Sequence, residues 1–412
     1  MKQNDKTLVV IGGGAAGYFC AVNAARLSPG LRVIIVEKTG KILQKVKISG
    51  GGRCNTTHHL FDISPLAKKY PRGEKFLKKA FHHFGPQDTV AWFAERGVKL
   101  KTEADGRMFP VTDSSQTIID CLEREALKYG VQSWLHTSVE SLVVEINGWI
   151  VGFSGGKEMV ATYVCVATGG FPKLLQYEWL VKGTGHTIET PVPSLFTFNT
   201  PGHPITKLMG VSQMAVIKIA GTSVQSEGPV LITHWGLSGP AVLKASAFAA
   251  RHLAQQDYIF EVIINWLPAF NENSLRDKIL VYRQEKGNKK VVNTEWINLP
   301  ARLFEFLLQS CEIKSEQRWA DLPATNQNRL IKSLCSFTIP AKGKTTFKEE
   351  FVTAGGVNLG EIDPNTMQSR LHPGLYFAGE IMDVDGITGG FNFQHAWTSG
   401  MLAATHISST VL

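Results

Sequence analysis

The sequence predicts an α/β protein whose main domain is drawn from both ends of the chain and interrupted by a β-rich domain with a helical insert. Three observations predict this. Residues 7–38 read as strand, glycine turn, helix and strand. Composition changes near residue 190, where "TPVPSLFTFNTPGHP" brings prolines and then short strands. After residue 346 the chain returns to a strand and a Gly-rich turn in "GLYFAGEIMDVDG".

The first strand is "TLVVI" (7–11), short, apolar and β-branched. Gly12-Gly13-Gly14 follows, then "AAGYFCAVNAARL", whose apolar residues recur at helical spacing, then the strand "RVIIVEK" (32–38). Together they form a βαβ unit. Helical patterns are expected at roughly 74–96 and 115–129, and alternation over 138–166 suggests a small antiparallel piece before the strand "YVCVATGG". From 195 to about 265 short strands with Gly and Pro punctuation read as a barrel or a sandwich. Residues 268–332 read as helices, best seen in "SLRDKILVYRQEK" and "LPARLFEFLLQSC". The expected boundaries are 1–190 for the first part of the main domain and 191–267 for the inserted β domain. The helical insert follows at 268–332, the return of the β domain at 333–345 and the second part of the main domain at 346–412.

A chain of 412 residues exceeds one ordinary core. No apolar run reaches the ~18 residues of a spanning helix, so no membrane partner is expected. "MKQNDKTLVVIGGG" enters its first strand without a signal-peptide pattern. The six cysteines include no C-x-x-C pair, which argues against structural zinc and a redox dithiol. No metal is expected, and the expected compartment is the cytoplasm.

The charge is +8 and uneven: residues 1–110 hold 19 Lys/Arg against 8 Asp/Glu. The excess is densest in "KKYPRGEKFLKK" (68–79). It reads either as a solvated helix face or as a surface for a polyanion, meaning nucleic acid or a phosphorylated substrate.

Gly12-x-Gly14-x-x-Gly17 follows a strand and opens a helix, and Glu37 ends the next strand 20 residues after Gly17. Glycines there let the turn close and a pyrophosphate approach; the N–H groups at Ala15 and Ala16 begin a helix whose dipole favours the anion. Glu37, with Lys38 beside it, is placed to take hydrogen bonds from an adenosine ribose. Two more segments favour FAD over NAD. One is Ala167-Thr168-Gly169-Gly170, ending a strand in the form that crosses beneath a flavin dinucleotide. The other is "LYFAGE" (375–380), with Gly379 and Glu380 near the ribityl chain. In "DVDGITGGFNFQHAWTSG" (383–400), Asp385 precedes a turn at Gly389-Gly390, and the helix opening at Phe391 and Asn392 can stabilise negative charge on a reduced flavin.

"KISGGGRCNTT" (47–57) sets three costly glycines in a row. Ser49, Gly50, Gly51, Arg53, Cys54 and Asn55 are read as backbone lying along FAD. Arg53 has two readings, phosphate neutralisation or a local ion pair. Cys54 also has two, a proton donor or a small packed residue.

Taken in order, "GGGAAG", "KISGGGRCN", "ATGG", "THWGLSGPA" (233–241), "TAGGV" (353–357) and "LYFAGEIMDVDGITGGFNFQHAW" resemble the BaiN/YhiN-like flavoproteins, also called aminoacetone-oxidase-like. The resemblance implies a glutathione-reductase-like FAD domain made from both chain ends, with an inserted β-barrel that carries a helical insert. Residues 171–188 depart from the family pattern: they are shorter and lack the Asp of its G-D-G-like turn.

No second complete dinucleotide unit is present, so NADH or NADPH is expected as a transient reductant. Because the resembled family is credited with enone reduction and with reducing uridine in ribosomal RNA, the expected reaction is hydride delivery to an activated C=C bond. The substrate is then a small molecule or ribosomal RNA, the latter bound through residues 68–79. Cys54, His234 and His395 are the candidate proton donors. Two other readings stand beside this one: an oxidase of a small amine, and a non-catalytic FAD-stabilised RNA-binding protein.

Overall fold

The computed structural model describes residues 6–345 and 352–411. The remaining positions of the two expected main-domain segments, 1–5, 346–351 and 412, lie outside the described residues. The chain divides into two compact units, Met1–Pro193 with Lys348–Leu412, and Ser194–Phe347.

The first unit is organised by a five-stranded parallel sheet, in the order Leu375–Phe377, Tyr163–Val166, Thr7–Ile11, Arg32–Val36, Gln132–Trp134. Four of these strands are buried almost throughout, which is what a parallel sheet covered on both faces requires of Val, Ile and Leu. The C-terminal strand lies beside Tyr163–Val166, so residues from both chain ends share the sheet. Helix Ala15–Leu27 packs against helix Phe391–Val411. The two come so close that a Cβ on Gly400 would stand 2.8 Å from Ala16 O. Around this contact Phe19 meets Trp397 at 5.2 Å and Trp92 at 4.5 Å between ring centroids. Trp397 Nε1 donates to Thr56 O at 2.8 Å, and Thr398 Oγ1 to Phe84 O at 2.9 Å.

Two small antiparallel sheets flank this core. One joins Thr57–His58, Arg107–Pro110 and Leu100–Thr102; the other is the meander Val139–Glu145, Gly148–Phe153, Lys157–Ala161. The helical pattern expected over 74–96 is two helices, Glu74–Ala80 and Pro86–Ala94. Pro86 sits in the first turn of the second, where its missing N–H costs nothing; in an unbroken helix it would remove a hydrogen bond.

The second unit holds a seven-stranded antiparallel sheet. Its core buries Phe196, Phe198, Trp266 and Trp319. Helices Glu272–Lys286, Ala301–Ser310 and Ala324–Cys335 occupy the stretch expected to be helical.

The turn between the first strand and first helix sets the tightest test of this packing. A Cβ on Gly17 would stand 2.0 Å from Gly12 O, a backbone atom that cannot rotate away. Gly17→Ala is therefore expected to destabilise the unit by about 1–3 kcal/mol, read as a lowered thermal midpoint. An unchanged midpoint would show that the helix can slide off the strand.

Candidate functional site

At the N-terminal turn, Gly12 has φ +115° and a Cβ there would lie 2.4 Å from Ala167 O, so two loops cross backbone to backbone. Gly12 N–H donates to Val36 O at 2.8 Å, and Ala167 N–H to Ile11 O at 2.8 Å. Gly14 caps the helix in extended conformation, and a Cβ on it would meet nothing within 4 Å. The first-turn N–H groups at Ala15 and Ala16 have no intrahelical partner and carry the positive end of the helix dipole. The Glu37 carboxylate lies across the turn, accepting from Gly13 N–H at 2.9 Å on one oxygen and from Thr39 N–H at 2.9 Å on the other.

These residues open onto a cavity of about 260 Å³ whose lining includes Gly12, Glu37, Lys38 and Thr168. Five further lining residues were not read from sequence: Thr137, Val139, Phe171, Gln176 and Trp179. The shortened segment 171–188 was the available signal, since it supplies Phe171, Gln176 and Trp179. Lys38 Nζ stands 5.7 Å from the Phe171 ring centroid.

The triple glycine ends the helix that starts at Gln44. Gly50, Gly51 and Gly52 have φ of +58°, +69° and +84°, three consecutive left-handed residues that side chains would oppose. A Cβ on Gly50 would strike Phe109 Cε1 at 2.8 Å, whereas Cβ atoms on Gly51 and Gly52 would meet nothing within 4 Å. Arg53 resolves toward the local ion pair: its Nη1 is 2.6 Å from Glu103 Oε1, and its guanidinium lies over the Phe109 ring at 4.1 Å. Ser49 accepts from Cys54 N–H at 3.0 Å through its carbonyl, closing the loop. With its amide turned to satisfy both atoms, Asn55 accepts from Gly390 N–H at 3.0 Å and donates to Thr57 O at 3.1 Å.

That bond joins the glycine run to the C-terminal turn. Gly390 sits so close to Thr57 that a Cβ would be 2.5 Å from Thr57 O. Asn392 clamps the turn, accepting from Gly386 N–H at 2.8 Å and donating to Gly386 O at 3.0 Å. Phe391 is buried, stacks on His58 at 4.7 Å, and its carbonyl accepts from Tyr70 OH at 2.7 Å. His58 and Tyr70 thus flank the turn beside Gly389, and the sequence reading passed over both. Gly379 N–H donates to Ser399 Oγ at 2.8 Å; Glu380 accepts from Thr353 N–H at 2.8 Å and pairs with Lys45 at 2.6 Å. Asp385 was expected at the cofactor. Instead, wholly buried, it forms a two-pronged ion pair with Arg72.

Of the three candidate donors, Cys54 and His395 belong to the first unit and His234 to the second. Cys54 is fully buried at φ +61°, and burial pushes its thiol up to about 11, so it stays protonated. His395 is buried in the first turns of the C-terminal helix, and desolvation lowers it to about 4. Both are buried and uncharged near pH 7. His234 is exposed in the second unit, its ring 4.3 Å from that of Trp235.

Thr353 Oγ1 is buried with no hydrogen-bond partner, a costly state in a finished core. Thr353 Oγ1 lies 2.8 Å from where a Cβ on Gly170 would stand. Gly14, Gly51, Gly52 and Gly169 all lack side chains where the protein itself leaves space. This donor-rich, glycine-lined cradle suits an extended dinucleotide.

Fold and site together define a Rossmann-type α/β nucleotide-binding protein. The model of the HI0933-like protein Rossmann domain matches residues 6–406. The chain is 30% identical over 402 residues to the 3-dehydro-bile acid delta(4,6)-reductase of Clostridium scindens, covering 96% of this chain and 97% of that one. It is 32% identical over 405 residues to the ribosomal RNA dihydrouridine synthase of Escherichia coli K12, covering 96% of each. In fold it is similar to the 3-ketosteroid delta1-dehydrogenase of Sterolibacterium denitrificans (TM-score 0.52, 15% identity, 98% of this chain and 100% of that one). The chain belongs to the HI0933-like family and is an FAD-dependent oxidoreductase.

His186 is buried like His395 and is also lowered to about 4 by desolvation. Both bind a proton more readily in the unfolded chain, whose imidazoles titrate near 6.5, so their effect vanishes above that pH and destabilises the fold as pH falls from about 6.5 toward 4. The thermal midpoint of the flavin-free protein is expected to fall across that window, and His395→Asn to flatten part of the fall. An identical acid limb in the variant would contradict the burial of a neutral imidazole.

Proposed function

We propose that this enzyme reduces an activated carbon–carbon double bond, with NADH or NADPH as the transient electron donor and FAD as the resident cofactor. The observation that carries the reading is the set of glycine turns with open space beside them, on a chain two of whose curated relatives are named for a double-bond reduction and for making dihydrouridine. Bound FAD supplies a two-electron hydride carrier between nicotinamide and substrate. Glu37 would take hydrogen bonds from the adenosine ribose; the N–H groups of Ala15 and Ala16 would face the pyrophosphate, with Gly12, Gly14 and Gly17 leaving room for it. Backbone from Ser49 to Asn55, Ala167 to Gly169, and Gly379 with Glu380 would line the middle of the cofactor. The N–H groups opening the helix after Gly389-Gly390, at Phe391 and Asn392, would hold negative charge at the ring edge.

Of the substrates named for the relatives, we take a uridine in ribosomal RNA over a small enone, because the basic excess lies within the FAD unit. No specific observation favours the amine oxidase or the non-catalytic reading. We also read the second unit as the expected barrel inserted into a glutathione-reductase-like domain. Phe337–Lys342 pairs with Ile259–Asn265, and Lys344–Thr345, just past Gly343, pairs with Thr197–Asn199 at the other end of the sheet. Among the described residues no helix is long and apolar enough to cross a membrane, and we place the enzyme with the nicotinamide pool of the cytoplasm.

The test is anaerobic: reduce the holoenzyme with NADH or NADPH, then mix it with a ribosomal RNA fragment, a conjugated enone or oxygen. Faster flavin reoxidation by RNA than by oxygen, with two hydrogens gained per modified uridine by mass spectrometry, is expected. Reoxidation by oxygen alone, with no saturated product, would contradict the reading. A second test separates cofactor from fold. Gly51→Leu places its side chain where the protein leaves nothing within 4 Å, at a backbone cost of roughly 1–2 kcal/mol. FAD affinity is expected to fall at least tenfold on titration while the apoprotein still folds; undiminished affinity would move the cofactor away from this loop.

A further inference from the structure

We propose that the exposed face formed by Lys68, Lys75, Lys78 and Lys79 is the docking surface for the phosphate backbone of the RNA substrate, an inference that rests on the ribosomal RNA reading above.

The helix Glu74–Ala80 is amphipathic. Phe76, Leu77 and Ala80 are buried, so Lys75, Lys78 and Lys79 point outward, and Lys68 is exposed just before it. Several arginines and a lysine elsewhere in this unit are paired with carboxylates: Arg53 with Glu103, Arg72 with Asp385, Arg96 with Glu125, Lys101 with Asp113, Arg107 with Glu103. Among the described residues none of Lys68, Lys69, Lys75, Lys78 or Lys79 has a carboxylate partner. Glu74, in the first turn, is the acid on the same helix. Four exposed, unpaired ammonium groups on a short ordered stretch form a field that a polyanion relieves by releasing its counterions.

Location selects a substrate rather than a bystander. The underside of this segment is fixed to the C-terminal glycine turn. Tyr70 OH donates to Phe391 O at 2.7 Å, Ile387 N–H donates to Lys69 O at 3.0 Å, and Arg72 grips Asp385. A Cβ on Gly73 would press on Val384 at 2.7 Å. A strand of RNA held on the lysines would lie on the outer side of the segment that anchors this turn, and an unpaired base flipped out of it would be presented from there.

The experiment measures binding of the full-length holoenzyme to a fluorescein-labelled single-stranded oligouridylate by anisotropy, as a function of salt. Reversing all four lysines (Lys68→Glu, Lys75→Glu, Lys78→Glu, Lys79→Glu) is expected to weaken binding at least tenfold. It should also reduce the log–log salt slope by about 3, near 0.7 per lost phosphate contact, with FAD per chain unchanged. The fourfold change to arginine is expected to keep both affinity and slope. Wild-type affinity and slope in the reversed variant would overturn the proposal. So would loss of FAD, which would assign the segment to the cofactor site, or charge-dependent binding to phosphatidylglycerol vesicles with none to RNA. Because binding is read without turnover, RNA that docks but is not reduced would overturn the reaction and leave the surface standing.

Discussion

Three backbone crossings without side chains hold the FAD unit together. Gly12 passes under Ala167 O, Gly17 presses on Gly12 O, and Gly390 lies against Thr57 O, each at a distance that a single Cβ would violate. Because the backbones themselves meet, Gly12 with Ala167 and Gly390 with Thr57 bring turns far apart in sequence into contact, and the first-turn N–H groups of the helix after Gly14 remain without intrahelical partners. The cradle follows from that constraint. Glycine permits the approach, the approach brings both chain ends together, and the space left over has donors on its walls.

A second constraint sorts the charges. Three cations of this unit meet carboxylates: Glu103 holds Arg53, Glu380 meets Lys45, and buried Asp385 holds Arg72. A buried guanidinium without such a partner would carry a large desolvation cost. On the solvated side of the same segment no such cost applies, and the lysines stand unpaired. One short stretch thus has an inner edge that stiffens the glycine turn and an outer edge that keeps its field.

Much of this was legible because it is local. The strand–turn–helix–strand unit and its acidic residue are spelled within 31 residues, from Thr7 to Glu37. The glycine run announces backbone that side chains cannot follow, and all three glycines are left-handed. What failed was long-range. Asp385 looked like a cofactor ligand because nothing near it in sequence reveals Arg72, 313 positions away. Cys54 and His395 carry reactive groups, but their burial depends on how the C-terminal helix packs, which periodicity leaves open. The wall made by Phe171, Gln176 and Trp179 lay hidden in a segment visible only as a departure from the family pattern. Pro86 was the exception, a local signal for the break in the 74–96 helix that the longer apolar pattern overrode.

The central claim is that these remote glycine turns form one site for FAD. Its most direct measurement is titration of the flavin-stripped protein with FAD, followed by both flavin fluorescence and thermal midpoint. The account predicts saturation at one FAD per chain, together with a rise in midpoint, since a ligand at 100 times its Kd adds about 2.7 kcal/mol to the folded state. A protein whose midpoint ignores excess FAD, and which leaves the fluorescence of added flavin unchanged, would contradict it.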